Sequence, residues 1–165
     1  MFYLDLFRCL HERRVRYLLV GGLAMNLHGV PRMTMDVDLV LAMDDANLDA
    51  FLACARALGL KPQAPVPIEA LKDPAQRQQW IETKNVIAFA LGAPDASGAT
   101  VDILIHHKLD VDAAMAAATT RDVSGVPVQL CAVEDMIKLK EGTGRRQDAA
   151  DIEHLRRIRA IEGNG

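Results

Sequence analysis

Two short apolar runs, separated by a pair of glycines, limit the folds open to this chain. The first run, YLLV, ends at Gly21 and Gly22, and the composition of LAMNLHG just after it indicates a short helix. The stretch TMDVDLVLA that follows alternates as a strand does. This order of strand, glycine turn, short helix and strand predicts a mixed α/β core.

The rest of the chain adds further helices and strands to this core. Apolar residues at helical spacing predict a first helix over about 2–13 and a helix capped by Asp44 or Asp45 that ends at Gly59. Residues 61–83 contain four prolines and predict a loop with one short helix around Gln76–Trp80. The remaining predicted elements are strands at 85–91 and 100–106 joined by GAPDASG, an Ala-rich helix at 111–118, a strand at 126–130, and two final helices in AVEDMIKLKE and DAADIEHLRRIRAI.

The length and composition are those of a single globular domain. A chain of 165 residues can bury one core but is too short for two ordinary domains. Half of its residues are apolar and a quarter are charged, which is typical of soluble proteins. We therefore expect a core over residues 1–131, with residues 132–165 forming a helical appendage of the same domain.

The sequence also indicates the compartment. No apolar run approaches the length of a membrane-spanning helix, so we expect a cytoplasmic protein with no membrane partner. The three cysteines, Cys9, Cys54 and Cys131, are far apart and lack the C-x-x-C spacing. They are expected to be reduced thiols rather than a disulfide framework or a zinc site.

The net charge of −3 argues against a surface devoted to nucleic acid, which usually needs a strong excess of Lys and Arg. A local basic patch remains compatible with this charge. The C-terminal segment from Lys138 to Arg159 has more basic than acidic residues. This segment is the best candidate for such a patch.

A pair of carboxylates in the second strand is the first candidate for chemistry. Asp36 and Asp38 lie two residues apart and so point to one face of the strand, where carboxylates can hold divalent cations. The spacing alone carries little weight, because about three such acidic pairs are expected by chance and the chain has three. Burial of two like charges in an apolar strand is costly, however, and a metal ion would compensate for it. The alternative is an edge strand whose carboxylates are solvated.

The glycine pair is the second candidate. Gly21 and Gly22 lie where a strand gives way to a helix, and bare backbone N–H groups at such a point favour an anion such as phosphate. The alternative is an ordinary turn that requires glycine only for its backbone conformation.

The combination of these features is more specific than any one of them. The string VGGLAMNLHGVPRMTMDVDLVL closely resembles the polymerase-beta-like nucleotidyltransferase superfamily, and within it the minimal, AbiEii-toxin-like bacterial members. The resemblance implies a nucleotidyltransferase fold, a small mixed twisted sheet flanked by helices with a short C-terminal helical pair that closes over the nucleotide site. It also implies that Gly21 and Gly22 contact the phosphates of the nucleotide, and that Asp36 and Asp38 bind Mg²⁺ or Mn²⁺.

The same resemblance implies further site residues. Asp102 in the apolar strand VDILI fits the third metal-binding carboxylate of that superfamily, and its alternative is a surface aspartate on an edge strand. Arg32 and Thr34 recur in the resembling string, and Arg32 is expected either to bind phosphate or to pair with an active-site aspartate. Lys138 matches the lysine of the AbiEii-like branch, with Lys140 as a rival for the same role.

These residues together imply a reaction. The expected activity is Mg²⁺-dependent transfer of a nucleoside monophosphate from an NTP such as ATP to an acceptor hydroxyl. The basic C-terminus favours RNA, including tRNA, as the acceptor. The AbiEii-like branch further implies a toxin of a toxin–antitoxin pair, with an antitoxin protein as its partner. The alternative function is a non-catalytic nucleotide- or RNA-binding relative that kept the fold.

Overall fold

Seven strands form one mixed sheet with helices packed against it in the computed structural model, which describes residues 2–84, 86–95 and 97–163. The strands are β1 (Tyr17–Val20), β2 (Val37–Leu41), β3 (Lys61–Pro62), β4 (Ala88–Gly92), β5 (Thr100–Leu104), β6 (Thr119–Val123) and β7 (Val126–Leu130). The α-helices are α1 (Phe2–Glu12), α2 (Gly21–Leu27), α3 (Asp45–Ala57), α4 (Pro74–Lys84), α5 (Val111–Ala117), α6 (Val133–Lys140) and α7 (Arg146–Gly163). The predicted mixed α/β class, with two helices at the C-terminus, is confirmed.

The two central strands set the geometry of one face of the sheet. The strand order is β3-β4-β5-β2-β1-β7-β6, with β1 antiparallel to β2 and β2 parallel to β5. Asp38 of β2 lies opposite Val20 of β1 on one side and opposite Asp102 of β5 on the other. Because residues directly opposite each other project to the same face, the side chains of these three residues form a row across the sheet.

The apolar pattern of the predicted helices accounts for how they pack. In α3, Leu48, Phe51 and Leu52 are buried against the sheet, and the Asp44 side chain accepts a hydrogen bond from the backbone N–H of Asn47 at 2.9 Å. Asp44 is therefore the N-cap, as the sequence predicts. The C-terminal helices contribute buried residues to the same core, including Met136 of α6 and Leu155 of α7.

Two parts of the chain differ from the prediction. Residues 61–83 are not mainly a loop, since they contain β3, a 3₁₀ helix at Ile68–Lys72 and most of the eleven-residue α4. The short helix predicted around Gln76–Trp80 lies within α4, but α4 is longer than predicted, because its sequence lacks an apolar stripe and Trp80 is its buried residue. Strand β6 was not predicted, because four of its five residues are exposed and polarity favours a loop.

Strand ends differ by a few residues. The predicted strand at 85–91 begins at Ala88 in the structure, and its predicted first residue, Asn85, lies outside the described residues. The strand predicted at 100–106 ends at Leu104. The two strands pair in antiparallel fashion, as the predicted hairpin requires. No helix in the described ranges has the length and apolar character needed to cross a membrane.

Candidate active site

A cavity of about 550 Å³ opens where β1 ends and α2 begins. The β1–α2 junction, the loop before β2 and the C-terminal helices all contribute to its lining. Its lining residues are Val20, Gly21, Gly22, Arg32, Met33, Thr34, Asp38, Ile87, Leu104, Met136, Leu139, Lys140, Arg145 and Asp148. The cavity thus combines a glycine turn, one carboxylate of the sheet, several cations and an apolar surface.

Asp38 and Asp102 form a pair of carboxyl groups on adjacent strands. They are register partners in β2 and β5, so their carboxyl groups lie side by side on one face of the sheet and repel each other. Asp36 lies just before β2 and accepts a hydrogen bond from the backbone N–H of Thr100 at 3.3 Å. Among the described residues, the cavity lining includes Asp38 but neither Asp36 nor Asp102.

The environment of this pair opposes its ionisation. Burial, followed by repulsion from Asp102 and Asp36, raises the pKa of Asp38 to about 6. The pKa of Asp102 is also raised, mainly by burial, although hydrogen bonds from Thr100 and Asp38 oppose that shift. Both carboxylates are therefore short of compensating positive charge in the protein alone.

The donor chemistry of the pair fits a hard divalent cation such as Mg²⁺ or Mn²⁺, which takes carboxylate oxygens and would relieve their repulsion. Within residues 2–84, 86–95 and 97–163, no group of three or more His, Cys, Asp or Glu side chains is placed to hold a metal ion jointly. Asp36, whose carboxylate accepts a hydrogen bond from Thr100, nevertheless lies close enough to raise the pKa of both Asp38 and Asp102. The two residues best placed to hold a metal are Asp38 and Asp102.

The glycine pair is closely fitted to its neighbours. A Cβ atom on Gly21 would lie 2.0 Å from Oδ2 of Asp38, and the φ of Gly21 is +73°. A Cβ atom on Gly22 would lie 3.1 Å from Oγ1 of Thr34. Gly21 therefore allows the backbone to approach the carboxylate of β2, and a side chain there would displace that carboxylate. Thr34, in turn, donates a hydrogen bond to the backbone carbonyl of Asp36 at 3.3 Å.

A cluster of ion pairs closes the side of the cavity formed by the C-terminal helices. Oδ2 of Asp151 accepts hydrogen bonds from Arg32 at 2.5 Å and from Lys140 at 2.9 Å, while Oδ1 accepts one from Gln147 at 3.0 Å. Burial alone would raise the pKa of Asp151, but the hydrogen bonds from Lys140, Gln147 and Arg32 lower it overall. Arg32 thus pairs with an aspartate of α7 rather than with a carboxylate of the sheet.

The two lysines of α6 point in different directions. Successive helical residues are about 100° apart around the axis, so residues two apart lie on nearly opposite sides. Lys140 lines the cavity and its side chain is 12% exposed. The Lys138 side chain is 62% exposed and pairs with Asp135 at 3.6 Å. Of the two sequence candidates, the described structure brings only Lys140 to the cavity.

Sequence reasoning did not identify Asp151 or Arg145 as part of this site. Asp151 lies two residues before Glu153, and a pair with that spacing is expected by chance. The available signal was the spacing of Asp148 and Asp151, which places both carboxylates on the same face of α7. That spacing indicates an ion-pair cluster only when the positions of the partner cations are known. These cations come from α6 and from the loop before β2.

Solved structures with the same fold are nucleotidyltransferases. The chain is similar to the lincosamide antibiotic adenylyltransferase LnuA with lincomycin bound, with a TM-score of 0.56 and 14% sequence identity over 90% of each chain. It is similar to ANT(2")-Ia in complex with adenylyl-2"-tobramycin, with a TM-score of 0.54 and 14% identity over 95% of this chain and 92% of that one.

A third similar structure is an antigenic nucleotidyltransferase-like protein from Paracoccidioides brasiliensis, with a TM-score of 0.56 and 19% identity over 96% of this chain and 73% of that one. No protein-family model and no curated protein sequence matches the chain. At these identities the likeness is one of fold, and the chain has the nucleotidyltransferase fold that its sequence predicts.

Proposed function

We propose that this protein is a metal-dependent nucleotidyltransferase that moves a nucleoside monophosphate from an NTP to an acceptor hydroxyl. The observation that carries the proposal is the contact of Gly21 with Asp38, beside Asp102, in a cavity that is also lined by cations. A glycine turn next to paired carboxylates provides room for phosphate oxygens and ligands for the metal ions that accompany them. The nucleotidyltransferase fold supports this assignment.

Each group has a role that follows from its chemistry. Gly21 and Gly22 expose backbone beside the carboxylate pair, where the phosphates approach without a side chain in the way. Arg32 and Lys140 line the same cavity and offset phosphate charge, Arg32 as a planar donor and Lys140 as a point charge. Thr34, packed against Gly22, keeps the loop before β2 in contact with the turn.

The reaction breaks one P–O bond and forms another. The acceptor hydroxyl oxygen attacks the α-phosphorus, the bond to the β-phosphate breaks, and pyrophosphate leaves. Asp38 and Asp102 would hold Mg²⁺ or Mn²⁺, with Asp36 next to them, and the metal supplies Lewis-acid stabilisation of the phosphate charge. Asp102, next to the attacking hydroxyl, would take its proton as the new P–O bond forms.

RNA, with tRNA as the first candidate, is the proposed acceptor. The support is the excess of basic over acidic residues between Lys138 and Arg159, a segment that borders the cavity through Lys140 and Arg145. A role as the toxin of a toxin–antitoxin pair follows from the sequence resemblance, and an antitoxin protein would then bind this chain.

A small organic molecule is the second candidate acceptor. Two solved structures of the same fold hold lincomycin and an adenylylated tobramycin, and the cavity here includes an apolar surface from Met33, Ile87 and Leu104. Pockets of this mixed kind suit small amphipathic molecules.

A labelling experiment tests the proposed function. The purified protein is incubated with Mg²⁺, each α-labelled NTP in turn, and either total tRNA or a panel of antibiotics. We expect label in one acceptor class, with a loss of at least 100-fold in Asp38→Asn and Asp102→Asn. The exposed Asp112 of α5, which is not among the residues that line the cavity, provides the control Asp112→Asn, which should retain activity.

The result that contradicts the proposal is labelling that persists in the folded Asp38 and Asp102 variants. Nucleotide binding without label in any RNA, small molecule or protein would instead support the non-catalytic alternative.

A further inference from the structure

We propose that Asp151 is a positioning residue that holds Arg32 and Lys140 in place to receive the phosphates of the substrate. The inference rests on the proposed function, because it takes the polyphosphate of an NTP as the ligand of these two cations. It adds a role for a residue of α7 that does not itself line the described cavity.

One carboxylate oxygen joins three separate parts of the chain. Arg32 comes from the loop before β2, Lys140 is the last residue of α6, and Asp151 lies in α7. Oδ2 of Asp151 accepts from both cations, at 2.5 Å from Arg32 and 2.9 Å from Lys140. The other oxygen is engaged by Gln147, so that the carboxylate has a fixed orientation.

The three side chains differ in solvent exposure, which increases from α7 towards the cavity. Asp151 is 1% exposed, Lys140 is 12% exposed and Arg32 is 25% exposed. Arg32 and Lys140 both line the cavity, whereas Asp151, among the described residues, does not. The carboxylate therefore lies behind the cations and leaves their outward surfaces open to an anion.

Stability alone gives a poor account of this arrangement. A buried ion pair contributes little net stability, because removing its charges from water costs about as much as their attraction returns. Fixing two flexible cationic side chains before the ligand arrives has a different benefit. Their rotamer entropy is already lost on folding, so that phosphate binding does not have to reduce it further. Preorganisation of this kind explains why two cations share one buried carboxylate next to the cavity.

Asp148 provides an instructive contrast within the same helix. It contacts Lys140 at 3.4 Å, Arg145 at 3.1 Å and Thr143 at 2.7 Å, but it lines the cavity itself. Its negative charge therefore lies where a phosphate would approach. Asp151, shielded by its cations, can orient them without repelling the ligand directly.

Binding of inorganic tripolyphosphate with Mg²⁺, measured by calorimetry, tests the proposal without reference to the base or the acceptor. We expect Asp151→Asn to weaken binding by about 10-fold or more, even though it makes the site one unit more positive. Simple electrostatics predicts the opposite sign, which makes the outcome decisive. In the labelling reaction, the same variant should raise KM for the NTP more than it lowers kcat.

Asp135 offers a matched control, because it is also a buried aspartate paired with a lysine, but on the side of α6 that carries Lys138. Asp135→Asn should leave tripolyphosphate affinity within about twofold. Equal or tighter binding by Asp151→Asn in the folded protein overturns the positioning role while leaving the proposed function intact. Absence of tripolyphosphate binding by the unaltered protein overturns both.

A double-mutant cycle keeps the test valid even if Asp151→Asn lowers stability. Arg32→Gln should weaken tripolyphosphate binding strongly in the unaltered protein and much less in the Asp151→Asn background. If folding of Asp151→Asn is too weak, Asp151→Glu takes its place, since it keeps the charge but shifts the carboxylate by one methylene. Additive effects of the two changes contradict the proposal.

Discussion

Asp38 combines a functional position with an unfavourable environment. Its pKa of about 6 in the folded protein exceeds the ordinary value of 3.8, so the folded state binds a proton more readily than the unfolded chain. The resulting cost to folding is fully present above pH 6 and is relieved as the pH falls from about 6 towards 4. A carboxylate kept at such a cost is typical of a site selected for function rather than stability.

Replacing Asp38 should therefore stabilise the metal-free protein while abolishing its activity. With EDTA present at pH 8, Asp38→Asn should increase the free energy of unfolding by on the order of 2 kcal/mol, and the gain should shrink at pH 5. Thermal or urea unfolding at the two pH values measures this difference. Asp112→Asn, at an exposed site in α5, should show no gain at either pH. Lower stability of Asp38→Asn at pH 8 would contradict the account.

Gly21 should be intolerant of any side chain. In Gly21→Ala the new Cβ meets the Asp38 carboxylate and the residue keeps a φ of +73°, so we expect a loss of about 3 kcal/mol of stability and at least 10-fold in kcat/KM. Gly29 at the other end of α2 has a φ of +98° but open space around its Cβ position. Gly29→Ala should cost only about 1 kcal/mol and leave kcat/KM nearly unchanged. Similar losses of kcat/KM in the two variants would exclude a special role for Gly21.

The sequence predicted some of these residues better than others. Asp38 and Asp102 stand out because each interrupts an otherwise apolar strand, and such a pattern can be read without a structure. Whether they are neighbours depends on the pairing of β2 with β5, which strand patterns do not specify. Asp151 gave no comparable signal, because a charged residue in a polar helix looks like a solvated one.

At the scale of elements, α6 illustrates how helix geometry decides between two lysines. Lys140→Met should raise KM for the NTP by about 10-fold, since it removes a cation from the cavity, whereas Lys138→Met should change KM by less than twofold. Methionine preserves side-chain length, so the comparison isolates charge. Steady-state kinetics of the labelling reaction at several NTP concentrations provides the measurement. A larger effect at Lys138 would reverse the assignment.

Elements with an apolar pattern were predicted fully, whereas the polar α4 was predicted only in part and the polar β6 not at all. The alternation in β2 and the stripe of α3 follow directly from burial on one face. In α4 the buried Trp80 stacks on Phe89 of β4 at a centroid distance of 5.3 Å, and Arg77 donates a hydrogen bond to the backbone carbonyl of Leu71 at 2.5 Å. Strand β6 is held by its pairing with β7 across a turn at Ser124 and Gly125, which both have positive φ. Both elements are held by contacts with a partner element and have no apolar period of their own.

At the scale of the whole molecule, the candidate site combines a row of residues across the sheet with residues of the C-terminal helices. Val20, Asp38 and Asp102 cross the centre of the sheet, and the C-terminal helices bring Lys140 and Arg145 to the cavity beside them. The fold supplies this arrangement without selecting an acceptor, because the same scaffold supports many substrates. Differences in acceptor are therefore expected to reside in the apolar and basic lining rather than in the carboxylates.

The central claim is nucleotidyl transfer, as opposed to phosphoryl transfer or nucleotide binding alone. It is tested most directly by comparing two preparations of the NTP, one labelled at the α-phosphate and one at the γ-phosphate, with the same acceptor pool and Mg²⁺. The account predicts that acceptor gains label only from the α-labelled NTP, while pyrophosphate carries the γ-label. Transfer of the γ-label to the acceptor, or release of labelled orthophosphate as the main product, would contradict it.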